Sequence, residues 1–304
     1  MIKIGLLGAG VFGFHHARVL SSIKEVEFKG IFDINFERAD EVSKQFGVPF
    51  FKKIEDLLKE INAAIIAVPT IYHKEVAKLC ANWGINCLVE KPISNNLEDA
   101  EEIIKEFKEK GLVLSVGHIE RYNPVVEAVL KNIKNPKYLT IERLAVFTPR
   151  SLDVDVILDL MIHDIQIVLD IFKKSLKEVK AIGVPVLTKK IDIANAYLEF
   201  ENGLVSSITA SRISQERVRK LRIFEERRYF SVDYAEKTIK AYELVEEKGQ
   251  KSFMELKIDI NHQEPLRAEI FDFINSIKEK REPIVNGEKA LDALKIAKKI
   301  QEAI

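Results

Sequence analysis

One six-residue run constrains this chain more than any other. Gly8-Ala9-Gly10-Val11-Phe12-Gly13 follows the apolar run Ile4-Gly5-Leu6-Leu7 and opens a helical pattern. Asp33 closes the next apolar run, about 20 residues on. Strand, glycine turn, helix and acidic strand end together form the opening of a βαβ unit that holds a dinucleotide. Gly8 permits the tight turn, Gly10 lets the backbone approach a pyrophosphate, and Gly13 lets helix and strand pack closely. Val11 and Phe12 ride on the same turn. The helix N-terminus offers N–H groups and positive dipole to phosphates. Asp33 would accept hydrogen bonds from the ribose hydroxyls and repel a 2′-phosphate, so NAD is expected ahead of NADP. Arg38, one turn into the following helix, softens that preference. The plainer alternative keeps the glycines for packing and Asp33 as a strand-end cap.

Alternation continues from this start. Short, nearly all-apolar runs at 26–32, 63–67, 86–89 and 112–116 are separated by amphipathic stretches at 36–46, 72–83 and 97–110. Apolar runs of this length suit strands buried on both faces, and strand–helix alternation implies a parallel sheet with helices on both sides. After about residue 124 the pattern changes. Strand-like runs follow one another at 138–146, 179–184, 194–200, 204–210, 218–224, 228–233, 238–242 and 254–260, with Glu201-Asn202-Gly203 as a hairpin turn signal. One long helix is expected at 156–173, and two more close the chain at 266–280 and 288–303. The expectation is an α/β domain with a doubly wound parallel Rossmann sheet over 1–120. An α+β domain with a large, mostly antiparallel open sheet follows over 121–304, and its last helices are free to pack back on the first domain. A cleft between two such domains is a usual place for cofactor and substrate to meet.

Composition narrows the partners. Lys+Arg and Asp+Glu number 47 each, so the formal net charge is zero. A chain-wide cationic footprint for nucleic acid or an anionic membrane is excluded, although a local basic patch is not. Two cysteines, Cys80 and Cys87, cannot build a disulfide scaffold or a four-cysteine metal site, and no metal is expected. No apolar run approaches the ~20 residues that span a bilayer. The start runs directly into strand-like sequence without a basic-then-apolar leader, so a reducing, cytoplasmic location is the expectation.

Candidate site residues sit at strand ends. Val68, Pro69, Thr70 and His73 follow the run at 63–67, and Glu90-Lys91-Pro92 follows the next. In an open parallel sheet, ligands lie beyond the carboxyl ends of the strands. On position alone, Lys91 could equally be a surface lysine paired with Glu90. In the second half, Asp155, Asp159, His163, Gln166 and Asp170 are spaced by four, four, three and four. On a regular helix they form one stripe. The surrounding residues are apolar, so the stripe faces a cleft, a buried network or a narrow solvent face. Asp159 and His163 stand one turn apart. A carboxylate there would fix the imidazole tautomer and raise its pKa; a surface ion pair of little energy is the alternative.

Taken in order, Gly8-Ala9-Gly10-Val11-Phe12-Gly13 with His16, Asp33, Pro69 with His73, Glu90-Lys91-Pro92, and Asp159 with His163 resemble the Gfo/Idh/MocA oxidoreductases over essentially the whole chain. The resemblance implies a Rossmann domain, a C-terminal open-sheet domain, and NAD(P)-dependent oxidation of sugars or cyclitols. It implies cofactor contacts at Gly8, Gly10, Val11, Phe12, Gly13, Asp33, Arg38, Val68, Pro69, Thr70, His73, Glu90 and Lys91. It implies that His163 is the general base, Lys91 the group that holds the reacting oxygen, and Asp159 the residue that orients His163. The segments 117–124, Asp159 to Ile165 and 218–224 further resemble a branch that oxidises nucleotide-linked N-acetylhexosamines, with C3 of UDP-N-acetylglucosamine the best-fitting position. Arg121, Tyr122 and Asn123 would then supply a cation, a stacking face and an amide to the substrate, alongside Lys91, Asp159 and His163.

Two positions depart from that branch. Asp153-Val154-Asp155-Val156 replaces the glycine run many relatives carry, and Gln166 stands where a second aspartate is common. Both bear on substrate identity more than on redox chemistry. Arg212, Arg217, Arg219, Lys220, Arg222, Arg227 and Arg228 concentrate basic charge that either meets a diphosphate or solvates a sheet face. Alternatives therefore stay open: a free-sugar or inositol dehydrogenase, glycoside hydrolysis through transient oxidation, or a non-catalytic NAD sensor. The large second sheet suggests a homodimer or homotetramer.

Overall fold

The computed structural model describes residues 1–148, 154–247 and 249–304. Asp153, part of the departure at 153–156, lies outside the described residues. The chain divides into two compact units, 1–118 with 266–291, and 119–265 with 292–304.

The first unit is built on strands β1 (Ile2–Leu7), β2 (Val26–Phe32), β3 (Phe50–Phe51), β4 (Ala63–Ile66), β5 (Asn86–Glu90) and β6 (Leu114–Gly117). They form one parallel sheet in the order β3-β2-β1-β4-β5-β6. Helices α1 (Val11–Leu20), α2 (Phe36–Phe46), α3 (Ile54–Leu58), α4 (His73–Asn82) and α5 (Leu97–Glu109) connect them. Ile4, Leu6, Leu7 and all of β4 are buried, as strands covered on both faces must be. Each fully buried Ile or Leu contributes ~1.5–3 kcal/mol. Strand order reverses between β1 and β4, which is where such sheets bind ligands. Cys80 in α4 and Cys87 in β5 are buried and not joined in a disulfide.

The second unit opens with α6 (Pro124–Asn132) and β7 (Tyr138–Leu144). A π turn over Ile157–Met161 then leads into α7 (Ile162–Phe172). Strands β8 (Leu176–Val184), β9 (Ile193–Phe200), β10 (Val205–Ser211), β11 (Val218–Phe224), β12 (Arg228–Asp233), β13 (Thr238–Glu247) and β14 (Gln250–Glu255) follow, then α8 (Pro265–Glu279) and α9 (Gly287–Glu302). The sheet order is β14-β13-β12-β11-β7-β10-β9-β8, and only β7 with β10 is parallel. Residues 266–291, which hold most of α8, belong to the first unit. One sheet face carries the core: Leu139, Ile141, Leu221, Ile223, Phe230 and Val232 are buried. The other face is open. There Tyr138 stacks on Phe224 with ring centroids 5.6 Å apart, and Arg222 pairs with Glu142 at 2.8 Å.

The fold class matches the sequence expectation, with local differences. The expected helix at 156–173 begins instead with the π turn, which adds a residue per turn and breaks the regular i,i+4 stripe. The expected strand at 254–260 ends at Glu255. The β13–β14 hairpin turns near Gly249, whose φ is +79°, and its register ends at Tyr242 opposite Glu255. The turn at Glu201-Asn202-Gly203 joins β9 to β10 with φ of +65° at Asn202 and +73° at Gly203, as a tight hairpin requires.

Candidate active site

In the first unit the glycine turn has the geometry its sequence implies. Gly8 has φ +101°, and a Cβ on it would lie 2.5 Å from the Ala67 carbonyl oxygen at the end of β4. A Cβ on Gly13 would lie 2.0 Å from the Gly8 oxygen. A Cβ on Gly10 would meet nothing within 4 Å, so the space above that backbone is open. Gly10 caps α1 without a side-chain hydrogen bond, and the first turn carries no acid. The turn therefore presents backbone N–H groups and dipole to an anion. Asp33 accepts from Ala9 N at 2.6 Å and from Asn35 N at 2.8 Å. Arg38 donates from Nε to the Ala9 oxygen at 3.0 Å, so the Ala9 peptides are clamped on both sides. Each Asp33 oxygen keeps a lone pair for a ribose hydroxyl. Val11, Phe12, Ile34 and Ile71 are exposed apolar side chains beside these strand ends. These features fit a dinucleotide. Ile34 and Ile71, exposed directly after Asp33 and Thr70, were not among the expected cofactor residues.

The expected strand-end residues take different tasks. Val68 and Thr70 are half-buried and Pro69 is exposed. His73 is buried, with Nδ1 3.0 Å from the Pro92 oxygen and Nε2 3.0 Å from the Val68 oxygen. It ties the segment after β4 to the segment after β5. Burial lowers its pKa against the pull of the two carbonyls. His73 thus supports the cofactor segments from behind instead of facing solvent.

Around Lys91 lies a buried ionisable cluster. Glu90 Oε1 meets His16 Nε2 at 2.7 Å, and Glu90 Oε2 accepts from Lys91 N at 3.2 Å. Burial pushes the Glu90 carboxyl up, but His16 and Lys91 prevail and hold it below its usual range. A Cβ on Gly117 would lie 3.0 Å from Glu90 Oε2, so that glycine makes room for the carboxylate. Burial, helped by the charge of Lys91, pushes the His118 imidazole down to about 3. Glu269 of α8 is fully buried, and its carboxyl oxygens have no hydrogen-bond partner among the described residues. Burial, then Glu90, raises its pKa, so it is held neutral. His118 and Glu269 were not among the expected site residues. His118 sat in a motif the sequence displayed, whereas nothing local to Glu269 marks it.

In the second unit, His163 is the second residue of α7, just after the π turn, and is buried, while Asp159 within the turn is half-buried. The residue after His163 anchors the helix. Arg143 donates from Nε and Nη2 to Asp164 at 2.7 and 2.8 Å, and from Nη1 to Glu120 Oε1 at 3.0 Å. Arg219 Nη1 reaches the same Glu120 oxygen at 2.8 Å. Burial pushes the Glu120 carboxyl up, yet Arg143 and Arg219 hold it below its usual range. Burial raises Asp164, partly opposed by Arg143. The expected stripe is not a single surface. Asp155 caps the turn through Ile157 N and Leu158 N, both at 3.0 Å, and Asp170 takes Arg121 Nε at 2.5 Å. Gln166 is buried, with Oε1 lacking a hydrogen-bond partner among the described residues.

The segment at 117–124 is also more structural than expected. Arg121 is held by Asp170, and Tyr122 is buried at 4% exposure, which leaves it no open stacking face. Asn123 caps α6 through Val125 N, and its amide reaches Glu120 Oε2 at 3.2 Å and the Tyr234 oxygen at 3.3 Å. Pro124 at the first helical position completes a start signal that the sequence carried.

Fold and site together define an oxidoreductase with an NAD-binding Rossmann domain. Residues 2–118 match the oxidoreductase family with an NAD-binding Rossmann fold, and residues 138–230 match the GFO/IDH/MocA C-terminal domain. The chain belongs to the Gfo/Idh/MocA family. It is 36% identical to UDP-N-acetylglucosamine 3-dehydrogenase of Acidithiobacillus ferrooxidans, over 100% of this chain and 97% of that one. A solved structure of that enzyme superposes with a TM-score of 0.93 over the same coverage. Myo-inositol 2-dehydrogenase of Thermotoga maritima is 26% identical over 96% of this chain and 93% of its own. Levoglucosan dehydrogenase in complex with NADH shares the fold at a TM-score of 0.89 and 18% identity, covering 99% of this chain and 96% of that one.

Proposed function

We propose that this enzyme oxidises the C3 hydroxyl of UDP-N-acetylglucosamine to a ketone with NAD. The observation that carries this reading is full-length similarity, in sequence and fold, to an enzyme of that name. Intact Lys91, Asp159 and His163 support it. Gly8, Gly10, Gly13 and the start of α1 would hold the pyrophosphate, and Asp33 the adenosine ribose, which favours NAD over NADP. Bound NAD supplies the acceptor for the hydrogen and electron pair leaving the sugar carbon.

The chain's own residues handle the proton. His163 takes it from the hydroxyl as general base, and Asp159 steadies the imidazole as it becomes charged. Lys91 donates to the oxygen and stabilises its developing negative charge. The Glu90–His16 pair fixes the backbone at Lys91, and Arg143 with Asp164 fixes the helix start at His163. Arg121, Tyr122 and Asn123 shape the substrate side through their neighbours. A homo-oligomer joined through the open sheet face belongs to the same reading, supported by the aromatic pair Tyr138 and Phe224 on that face. So does a cytoplasmic setting, supported by two cysteines not joined in a disulfide. No described helix is long and apolar enough to cross a membrane.

The test is a single-turnover assay with enzyme in excess over NAD. UDP-N-acetylglucosamine, N-acetylglucosamine, glucose and myo-inositol go in parallel. Reduced nicotinamide should form with the nucleotide sugar alone. Formation with myo-inositol or a free sugar instead would keep the family and discard the substrate.

A further inference from the structure

The basic stretch of the second sheet sorts into spent and unspent cations. Arg222 is paired with Glu142, Arg228 with Glu225 at 3.2 Å, and Arg212 donates to the Val154 oxygen. Arg227 donates to the Leu244 oxygen. Lys220 lies on the other face of β11 from Arg219, in register with Glu142 and Asp233. Arg219, with one ion pair, and exposed Arg217, with none among the described residues, stand together at the start of β11.

Arg219 sits opposite Arg143 in the β11–β7 register, on the face shared with buried Leu221. Two like charges opposed across strands repel. A single carboxylate oxygen, Glu120 Oε1, bridges them. Arg143 is nearly saturated, with three nitrogens bonded to Asp164 and Glu120. Arg219 spends one nitrogen on Glu120 and is 29% exposed along its side chain. Arg217 is exposed and makes no ion pair among the described residues. Its charge, after burial and together with Arg143, lowers the pKa of Arg219. Buried Arg143 and half-buried Arg219 thus share one carboxylate oxygen, with exposed Arg217 close enough to act on Arg219 by its charge, and a multiply charged anion would relieve the repulsion.

Glu120 and Asp164 show where such an anion would act. Glu120 lies within 117–124, and Asp164 follows His163. The network that holds Arg219 also fixes the helix start that carries the candidate base. We propose that Arg219, assisted by Arg217 and held by Glu120, binds the diphosphate of the nucleotide-sugar substrate. Arg121, already engaged by Asp170, does not take that part. This assignment rests on the nucleotide-sugar reading given above. A planar guanidinium can grip two phosphate oxygens, whereas a free sugar offers it no charge.

Calorimetric titration of the NAD-saturated enzyme with UDP, UMP and UDP-N-acetylglucosamine tests it. Wild type should bind UDP more tightly than UMP, and the gap should shrink as salt rises. Arg219→Gln should weaken UDP by about ten- to hundredfold and bring it toward UMP. It should raise KM for UDP-N-acetylglucosamine far more than it lowers kcat. Arg217→Gln, at an exposed site where folding is not at stake, should weaken UDP severalfold in the same direction. If Arg219→Gln fails to fold, the Arg217→Gln result decides. Wild-type affinity for UDP in both variants would overturn the assignment while leaving the nucleotide-sugar reading intact. A wild type that binds neither UDP nor UDP-N-acetylglucosamine would overturn both.

Discussion

The first unit buries His118, which feels the charge of Lys91, and Glu269, which feels that of Glu90, with burial as the dominant influence on each, so both are held neutral. The second unit buries Glu120, Arg143 and Asp164, with half-buried Arg219 on Glu120 and Arg143 bridging both carboxylates, so Arg143 and Glu120 stay charged. Groups held neutral by burial add no charge to that cluster, where Glu90 carries the negative charge. Compensated groups are rigid, because each guanidinium fork and carboxylate fixes the other's position. One cluster sets the electrostatics at a strand end, and the other sets the geometry of a helix start.

The largest expected break in this comparison is at His163. His163→Ala should lower single-turnover oxidation ~10²–10⁴-fold, the usual contribution of a general base, while NAD affinity stays near wild type. Near-normal turnover would move the base elsewhere. The second unit's cluster comes next. Arg143→Met leaves Asp164 and Glu120 buried without their shared cation and should cost ~3–5 kcal/mol in denaturant unfolding. A loss below about 1 kcal/mol would mean that the network is solvated.

The first unit's cluster is tested by pH. His118 in the folded protein titrates at about 3, below its unfolded value near 6.5. The unfolded chain therefore binds more protons in that window. Stability contributed by neutral His118 is full above about pH 6.5 and is lost as pH falls toward 3, by at most ~3–5 kcal/mol. His118→Asn should flatten that acid arm, which urea unfolding at several pH values would measure. Glu269, whose pKa is raised, has the opposite sign. Its contribution is present below the unfolded value of about 4.3 and is lost as pH rises. Glu269→Met should stabilise the protein at pH 8, and the gain should shrink as pH falls, because it removes a buried carboxyl that lacks a hydrogen-bond partner among the described residues. A clear loss of stability would reveal a partner for that carboxyl.

Legibility differed between the units for a physical reason. The dinucleotide turn is local: Gly8, Gly10, Gly13 and Asp33 act through backbone geometry within one βαβ unit, so spacing alone exposed it. The fold class was equally plain, since buried strands and amphipathic helices alternate visibly. The two-residue strand Phe50–Phe51 was too short to register. The cluster of Glu120, Arg143, Asp164 and Arg219 joins four segments far apart in the chain, and periodicity carries no trace of it. Asp164 sat beside a residue singled out from the sequence, yet the regular-helix stripe pointed to Asp159 and Asp170. The π turn over Ile157–Met161 shifted the phase, and no residue pattern announces such a turn. Arg121, Tyr122 and Asn123 stood out as polar or aromatic residues after an apolar run, whereas the pair with Asp170 and the burial of Tyr122 depend on residues distant in the chain.

The central claim is that a hydrogen leaves C3 of a nucleotide sugar for NAD. Single turnover with UDP-N-acetylglucosamine deuterated at C3 tests it most directly, with mass spectrometry of the reduced nicotinamide. The expected result is one deuterium transferred and a slower step than with the unlabelled substrate. Reduced nicotinamide without deuterium, formed at the unlabelled rate, would contradict it.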